Sequence, residues 1–160
     1  MNIRYLESAD FDVISPVIDE WWGGRPVRGL LPRLFFEHFR PTSFALCEDG
    51  ALVGFLVGFQ SQSAPSVGYV HFIGVHPALR GSGYGRSLYQ AFFAAAASLG
   101  CTEVRAITSP VNESSIQFHQ RLGFQILPGT GQVNGYAVCL DHAAPGQHRV
   151  LFSKQLIAAR

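Results

Sequence analysis

The sequence predicts one α/β or α+β domain around a mixed sheet. Three observations carry that prediction. Apolar residues fill 48% of the 160 positions and charged residues only 14%, which suits one folded unit with a sizeable core. Period-two runs alternate with helix-like runs in the order β-α-α-β-β-β-α-β-α-β-β, which gives six or seven strands. Glycine and proline clusters separate the runs, with no repeat and no linker, so residues 1–160 read as a single domain.

Each element has its own warrant. Ile3 to Leu6 reads as a first strand. Asp10 caps a helix to about Glu20, with Phe11, Ile14, Val17, Ile18 and Trp21 on one face. Gly23-Gly24-Arg25-Pro26 breaks it, and a second helix is expected from Leu31 to Phe39. Phe44 to Glu48 and Ala51 to Phe59 flank Asp49-Gly50, which suits a type I′ hairpin turn. After the polar stretch Gln60 to Ser66, Val67 to Val75 is the next strand, ended by Pro77. A helix from Arg86 to Leu99 stops at Gly100, and Val104 to Thr108 is a strand. Asn112 caps a helix from Ser114 to Leu122, closed by Gly123. Phe124 to Leu127 and Arg149 to Phe152 complete the strands. Pro128 to Gln147 reads as a long loop with a short strand near Tyr136 to Leu140.

Composition narrows the function classes. A formal net charge of +1 gives no reason to expect nucleic acid or an anionic membrane surface. Arg4, Glu7, Asp10 and Asp12 interrupt the N-terminal stretch, so no signal peptide is expected, and the apolar run Ala51 to Phe59 is too short to span a bilayer. Cys47, Cys101 and Cys139 are odd in number and widely spaced, as suits reduced thiols in a cytoplasmic protein. Six scattered histidines without ligand spacing do not indicate a metal.

The informative segment is Arg80-Gly81-Ser82-Gly83-Tyr84-Gly85-Arg86, between a strand and a helix. Glycines admit an anion close to the backbone, and helix amides face it with the positive end of their dipole. A Walker loop would need Lys then Ser or Thr after Gly85, where Arg86-Ser87 stands. A dinucleotide fingerprint would need glycine where Arg86 stands. Arg-x-x-Gly-x-Gly is met by Arg80, Gly83 and Gly85, and a plain connecting turn is the alternative.

Val75-His76-Pro77-Ala78-Leu79-Arg80-Gly81-Ser82-Gly83-Tyr84-Gly85-Arg86 resembles the cofactor motif of the GNAT superfamily, the acyl-CoA-dependent N-acetyltransferases. Asn112 to Phe124 is similar to that family's second motif, an Asn-started helix ending in Gly-Phe. The resemblance is good over roughly Ala45 to Phe124. It implies a mostly antiparallel sheet with helices on both faces and two parallel strands splayed at the cofactor. It implies acetyl-CoA as cosubstrate, without a metal. The diphosphate would sit on the amides of Arg80, Gly81, Ser82, Gly83, Tyr84, Gly85 and Arg86, with the pantetheine arm along Ile73, Gly74 and Val75. Close packing under an aromatic is the other reading of Gly74. Asn112, Ser115 and Phe118 of the second motif would complete the seat, although capping alone accounts for Asn112.

Amine acetylation needs a base, since an alkylamine has a pKa near ~10. No Asp or Glu lies between Asp49 and Glu103, so the carboxylate some relatives carry on the strand before the turn is missing. His71 is the titratable group there, and period two places it on one face with Tyr69, Ile73 and Val75. His76, on the opposite face before Pro77, reads as structural. The second motif usually offers a Tyr acid after Phe118; His119 occupies that position and as imidazolium can supply the proton, the alternative being an acid dispensed with or moved. Tyr84 and Tyr136 are further candidate acids. In the resemblance the acceptor pocket draws on the first two helices and the loops near the C-terminal strands. The helical region holds Asp19, Glu20, Trp21, Trp22, Arg25, Arg28, Phe35, Phe36 and His38, for which plain core packing or solvent exposure is the other reading. The expected function is N-acetylation of a small-molecule or peptide amine, with a homodimer through C-terminal edge strands. A non-catalytic acyl-CoA-binding or regulatory module is the alternative, and Arg86 stands against a nucleotide-binding oxidoreductase.

Overall fold

The computed structural model describes residues 1–157; the last three positions of the single domain expected over 1–160 lie outside the described residues. Among the described residues, nine strands make one sheet, in the order β1-β2-β3-β4-β5-β9-β8-β7, with β6 paired to β9. The elements are β1 (Asn2–Tyr5), α1 (Asp10–Ile14), α2 (Ile18–Trp21), α3 (Leu34–His38), β2 (Phe44–Glu48), β3 (Ala51–Gln60), β4 (Val67–Val75), α4 (Tyr84–Ser98), β5 (Glu103–Thr108), α5 (Glu113–Arg121), β6 (Gln125–Ile126), β7 (Gly131–Val133), β8 (Tyr136–Ala144) and β9 (Gln147–Gln155).

The single helix expected from Asp10 to Glu20 is two short ones. Pro16 falls between them, and it cannot donate a backbone bond inside a helix. Asp10 does not cap: it is buried, its carboxylate paired with Arg4 at 2.8 Å and accepting from the Glu7 amide. The second expected helix shrinks to α3, preceded by a single tight turn at Arg28–Leu30. The long loop expected between Pro128 and Gln147 is instead the hairpin β7–β8 followed by the start of β9. Asn134 (φ 52) and Gly135 (φ 82) form its turn, the left-handed pair that a type I′ turn demands.

All pairings are antiparallel except β4 with β5. That parallel pairing covers only Val67–Tyr69 against Glu103–Arg105. Beyond Tyr69 the two strands part, so the splay is built into the sheet. Two apolar cores lie on opposite faces. Leu88, Tyr89 and Phe92 of α4 and Ile116 of α5 cover one; Ile14, Ile18, Trp21 and Phe36 cover the other.

A bulge changes the facing of β4. Val57 pairs with Phe72 but Gly58 pairs with Val70, which leaves His71 as an extra residue. His71 and Phe72 therefore both lie on the α3 side, where His71 stacks on Phe35 at 4.1 Å. Ile73 and Val75 pack against the α4 side. The shared face expected for His71, Ile73 and Val75 is overturned, because simple alternation ends at the bulge. His76 lies against Trp21 at 5.5 Å, on the same side as His71.

Candidate active site

The glycine turn is set up from both ends. His76 Nδ1 accepts from the Ala78 amide at 3.1 Å and holds the tight turn Pro77–Leu79. Arg80 Nε donates to the Val75 carbonyl at 3.1 Å, and its Nη2 donates to the Trp21 carbonyl. That guanidinium staples the end of β4 to the end of α2, so its side chain is committed to carbonyls rather than to a phosphate. Gly81 and Gly83 take φ values of 82° and 84°, where a side chain is strained. Among the described residues, the amides of positions 81 to 86 donate to no acceptor. They sit at the start of the 15-residue helix α4, where the dipole is positive. Gly85 has a separate cause: a Cβ there would come 2.8 Å from the Phe118 ring, so its absence lets α5 close on α4.

Next to this turn is the parting of β4 and β5. The His76 amide donates to the Val53 carbonyl at 2.8 Å, toward β3. Alternation then directs the amides of Ile73 and Val75 to the opposite, open edge. Gly74 lies under aromatics, since a Cβ there would come 2.7 Å from Trp22 and 2.9 Å from Phe55. Packing, not approach of a ligand, accounts for it. Asn112 Oδ1 accepts from the Ser115 amide at 3.3 Å and the Ser114 hydroxyl at 3.2 Å, capping α5.

A cavity of about 640 Å³ joins these parts. It gathers every residue assigned from the sequence to the cofactor except Ser82, which is exposed on the turn. It also takes in Leu79, Ser114, Arg121 and Leu122, which the sequence reading left unassigned. Arg121 and Leu122 lay inside the second motif, one and two helical turns from residues already singled out. The charged lining is Arg25, Arg80, Arg86 and Arg121, with no carboxylate among the described residues.

The two histidines expected to do the proton chemistry do not stand as expected. His119 lines the cavity but is only 3% exposed. Its Nδ1 lies 2.7 Å from the Ser115 carbonyl and must donate to it. Its Nε2, 2.6 Å from the Tyr89 hydroxyl, therefore accepts. Burial pushes its pKa down to about 4, against the pull of the Ser115 carbonyl. The ring's Nδ1 proton is held by the Ser115 carbonyl and its Nε2 by the Tyr89 hydroxyl. His71 has the opposite pattern. Nε2 donates to the Leu30 carbonyl at 2.5 Å, and Nδ1 has no partner among the described residues. Burial lowers its pKa, opposed by that carbonyl. It does not line the cavity: Phe72 stands beside it at 6.1 Å, and Trp22 lies on Phe72 at 4.8 Å. Tyr84 donates to Glu48 at 2.5 Å, and that bond weakens its acidity. Tyr136 donates to Glu113 at 3.3 Å. Among the described residues, no group of three or more His, Cys, Asp and Glu side chains is placed to hold a metal ion.

Known acetyltransferases resemble this chain in sequence and in fold. A mycothiol acetyltransferase of Thermobispora bispora is 36% identical over 91 residues, 54% of this chain and 31% of that one. An L-2,4-diaminobutyric acid acetyltransferase of Nocardia farcinica is 32% identical over 83 residues, 52% of this chain and 43% of that one. The matches thus span less than half of either relative's length. The diaminobutyrate acetyltransferase EctA of Paenibacillus lautus, solved with L-2,4-diaminobutyric acid and coenzyme A, shares the fold at a TM-score of 0.70. It is 16% identical, over 99% of this chain and 97% of that one. The model of the acetyltransferase (GNAT) family matches residues 11–124, a span holding the glycine turn, the parted strands and the capped α5. With most of the chain matched and its two motifs brought to one cavity, this protein belongs to the GNAT family of acetyltransferases.

Proposed function

We propose that the chain moves an acetyl group from acetyl-CoA to a small-molecule primary amine, in the cytoplasm. The observation that carries this is the run of six unpaired amides opening onto the parted edge of β4. Amides 81 to 86, with the Arg86 side chain, hold the diphosphate. The open edge at Ile73 and Val75 pairs with the pantetheine amides, as an added strand would. The Val75 amide donates to the thioester carbonyl and stabilises the oxyanion as the amine nitrogen attacks carbon. The carbon–sulfur bond then breaks and coenzyme A leaves as thiolate. The ammonium proton passes to water in the cavity, whose described lining holds neither a carboxylate nor His71. His119 holds α4 to α5 and transfers no proton. The homodimer expected from the sequence would form across β7, at the sheet edge.

Calorimetry with acetyl-CoA, followed by thiol release over an amine panel that includes L-2,4-diaminobutyric acid, tests the reading. Binding with turnover supports it. Binding without turnover on any amine assigns the chain to a non-catalytic acyl-CoA-binding module, the reading favoured by the engaged His119 and the cavity without carboxylates. No binding removes both.

A further inference from the structure

We propose that Arg25 receives a carboxylate on the acceptor, so the acceptor is an amine of the amino-acid type rather than a polyamine. This rests on the acetyl-transfer reading above. The four cavity arginines divide by role. Arg80 is committed to the carbonyls of Val75 and Trp21. Arg86 lies in the first turn of α4, within the proposed phosphate seat, and Arg121 of α5 donates to Gln117 Oε1 at 3.3 Å. Arg25 stands apart, on the loop after α2, lining the same cavity as Trp22, whose ring covers Gly74. Its Nε makes one long contact, 3.5 Å to the Trp22 carbonyl, and its two Nη groups have no acceptor among the described residues.

The loop that carries it is held in place. Asp19 Oδ1 accepts from the Val27 amide at 2.9 Å and the Arg28 amide at 2.8 Å. The Asp19 carbonyl accepts from the Gly24 amide at 2.8 Å. Arg25 is thus a free fork on a pre-set loop, and the partner that matches a guanidinium fork is a carboxylate. Asp19 is spent on the loop, and Glu20 lines a separate cavity with Val13, Leu52 and His76. A polyamine would therefore bring positive charge to a wall of arginines with no carboxylate to offset it. An amine with a carboxylate brings its own counter-charge, and Trp21 and Trp22 supply a flat apolar wall for its carbon chain.

Ornithine and putrescine, which carry the same diamine chain with and without the carboxylate, test this. Each is titrated calorimetrically into the protein saturated with coenzyme A. Ornithine is expected to bind at least about tenfold tighter. Arg25→Ala should erase that preference while leaving coenzyme A affinity within about twofold, and Arg25→Lys should keep part of it. Putrescine binding equally well, a preference that survives Arg25→Ala, or binding of neither ligand would overturn the proposal. So would a parallel loss of coenzyme A affinity in Arg25→Ala, which would give Arg25 to the cosubstrate. Failure of coenzyme A to bind the unaltered protein would overturn the acetyl-transfer reading instead, and the same titrations on the free protein would then decide Arg25.

Discussion

His119, next to Phe118 in the second motif, ties two helices together. Its ring stacks on Phe152 at 4.6 Å and joins Tyr89 of α4 to the Ser115 carbonyl of α5. In the fold it stays neutral down to about 4, whereas an exposed imidazole titrates near 6.5. Above 6.5 neither folded nor unfolded chain binds this proton. Between 6.5 and 4 only the unfolded chain does, so stability drops as pH drops, levelling off after a loss of roughly 3 kcal/mol. Urea unfolding at pH 7 and pH 5 should show the unaltered protein losing about 2 kcal/mol more than His119→Gln. Parallel losses would mean that the ring is not sealed. The same engagement predicts that no inflection from His119 appears in a turnover profile above pH 5.

At the scale of elements, the start of α4 is decisive, and a paired control isolates it. Gly83 and Gly100, at the two ends of this helix, both have positive φ (84° and 88°) with open space where a Cβ would stand. Gly83→Ala and Gly100→Ala should each cost about 1 kcal/mol by thermal unfolding. Only Gly83→Ala should also weaken coenzyme A, by at least about tenfold, because its Cβ would project into the phosphate seat. Equal affinities in the two variants would move the seat elsewhere. The elements of this region were legible because glycine, proline and capping asparagine are local signals: β4 was bounded correctly and α5 to within a residue at each end. The bulge at His71 was not legible, because register arises from pairing with β3 and leaves no mark on β4 itself. The β7–β8 hairpin was legible and missed, since Asn134-Gly135 is as strong a turn signal as Asp49-Gly50. The engagement of His119 depends on Tyr89, thirty positions away, and no spacing rule connects them.

Across the whole molecule, three residue pairs of β4–β5 join the half of the sheet built from β1 to β4 to the half built from β5 to β9. A ligand filling the parting adds bonds between two halves otherwise joined by those three pairs. Coenzyme A at a hundred times its dissociation constant should add about 2.7 kcal/mol of stability and raise Tm by roughly 5–10 °C. An unmoved transition would show that the parting takes no ligand. None of the described helices is long and apolar enough to cross a membrane.

The Arg80 guanidinium bonds to the ends of both α2 and β4, so the wall proposed for the acceptor and the turn proposed for the cosubstrate share a hinge pin. Steadying one steadies the other. The kinetic corollary is a compulsory sequence, cosubstrate first and amine second, in which the first arrival finishes the second one's socket. Product-inhibition patterns that turn random in Arg80→Ala would show the pin at work; patterns already random in the unaltered enzyme would rule it out.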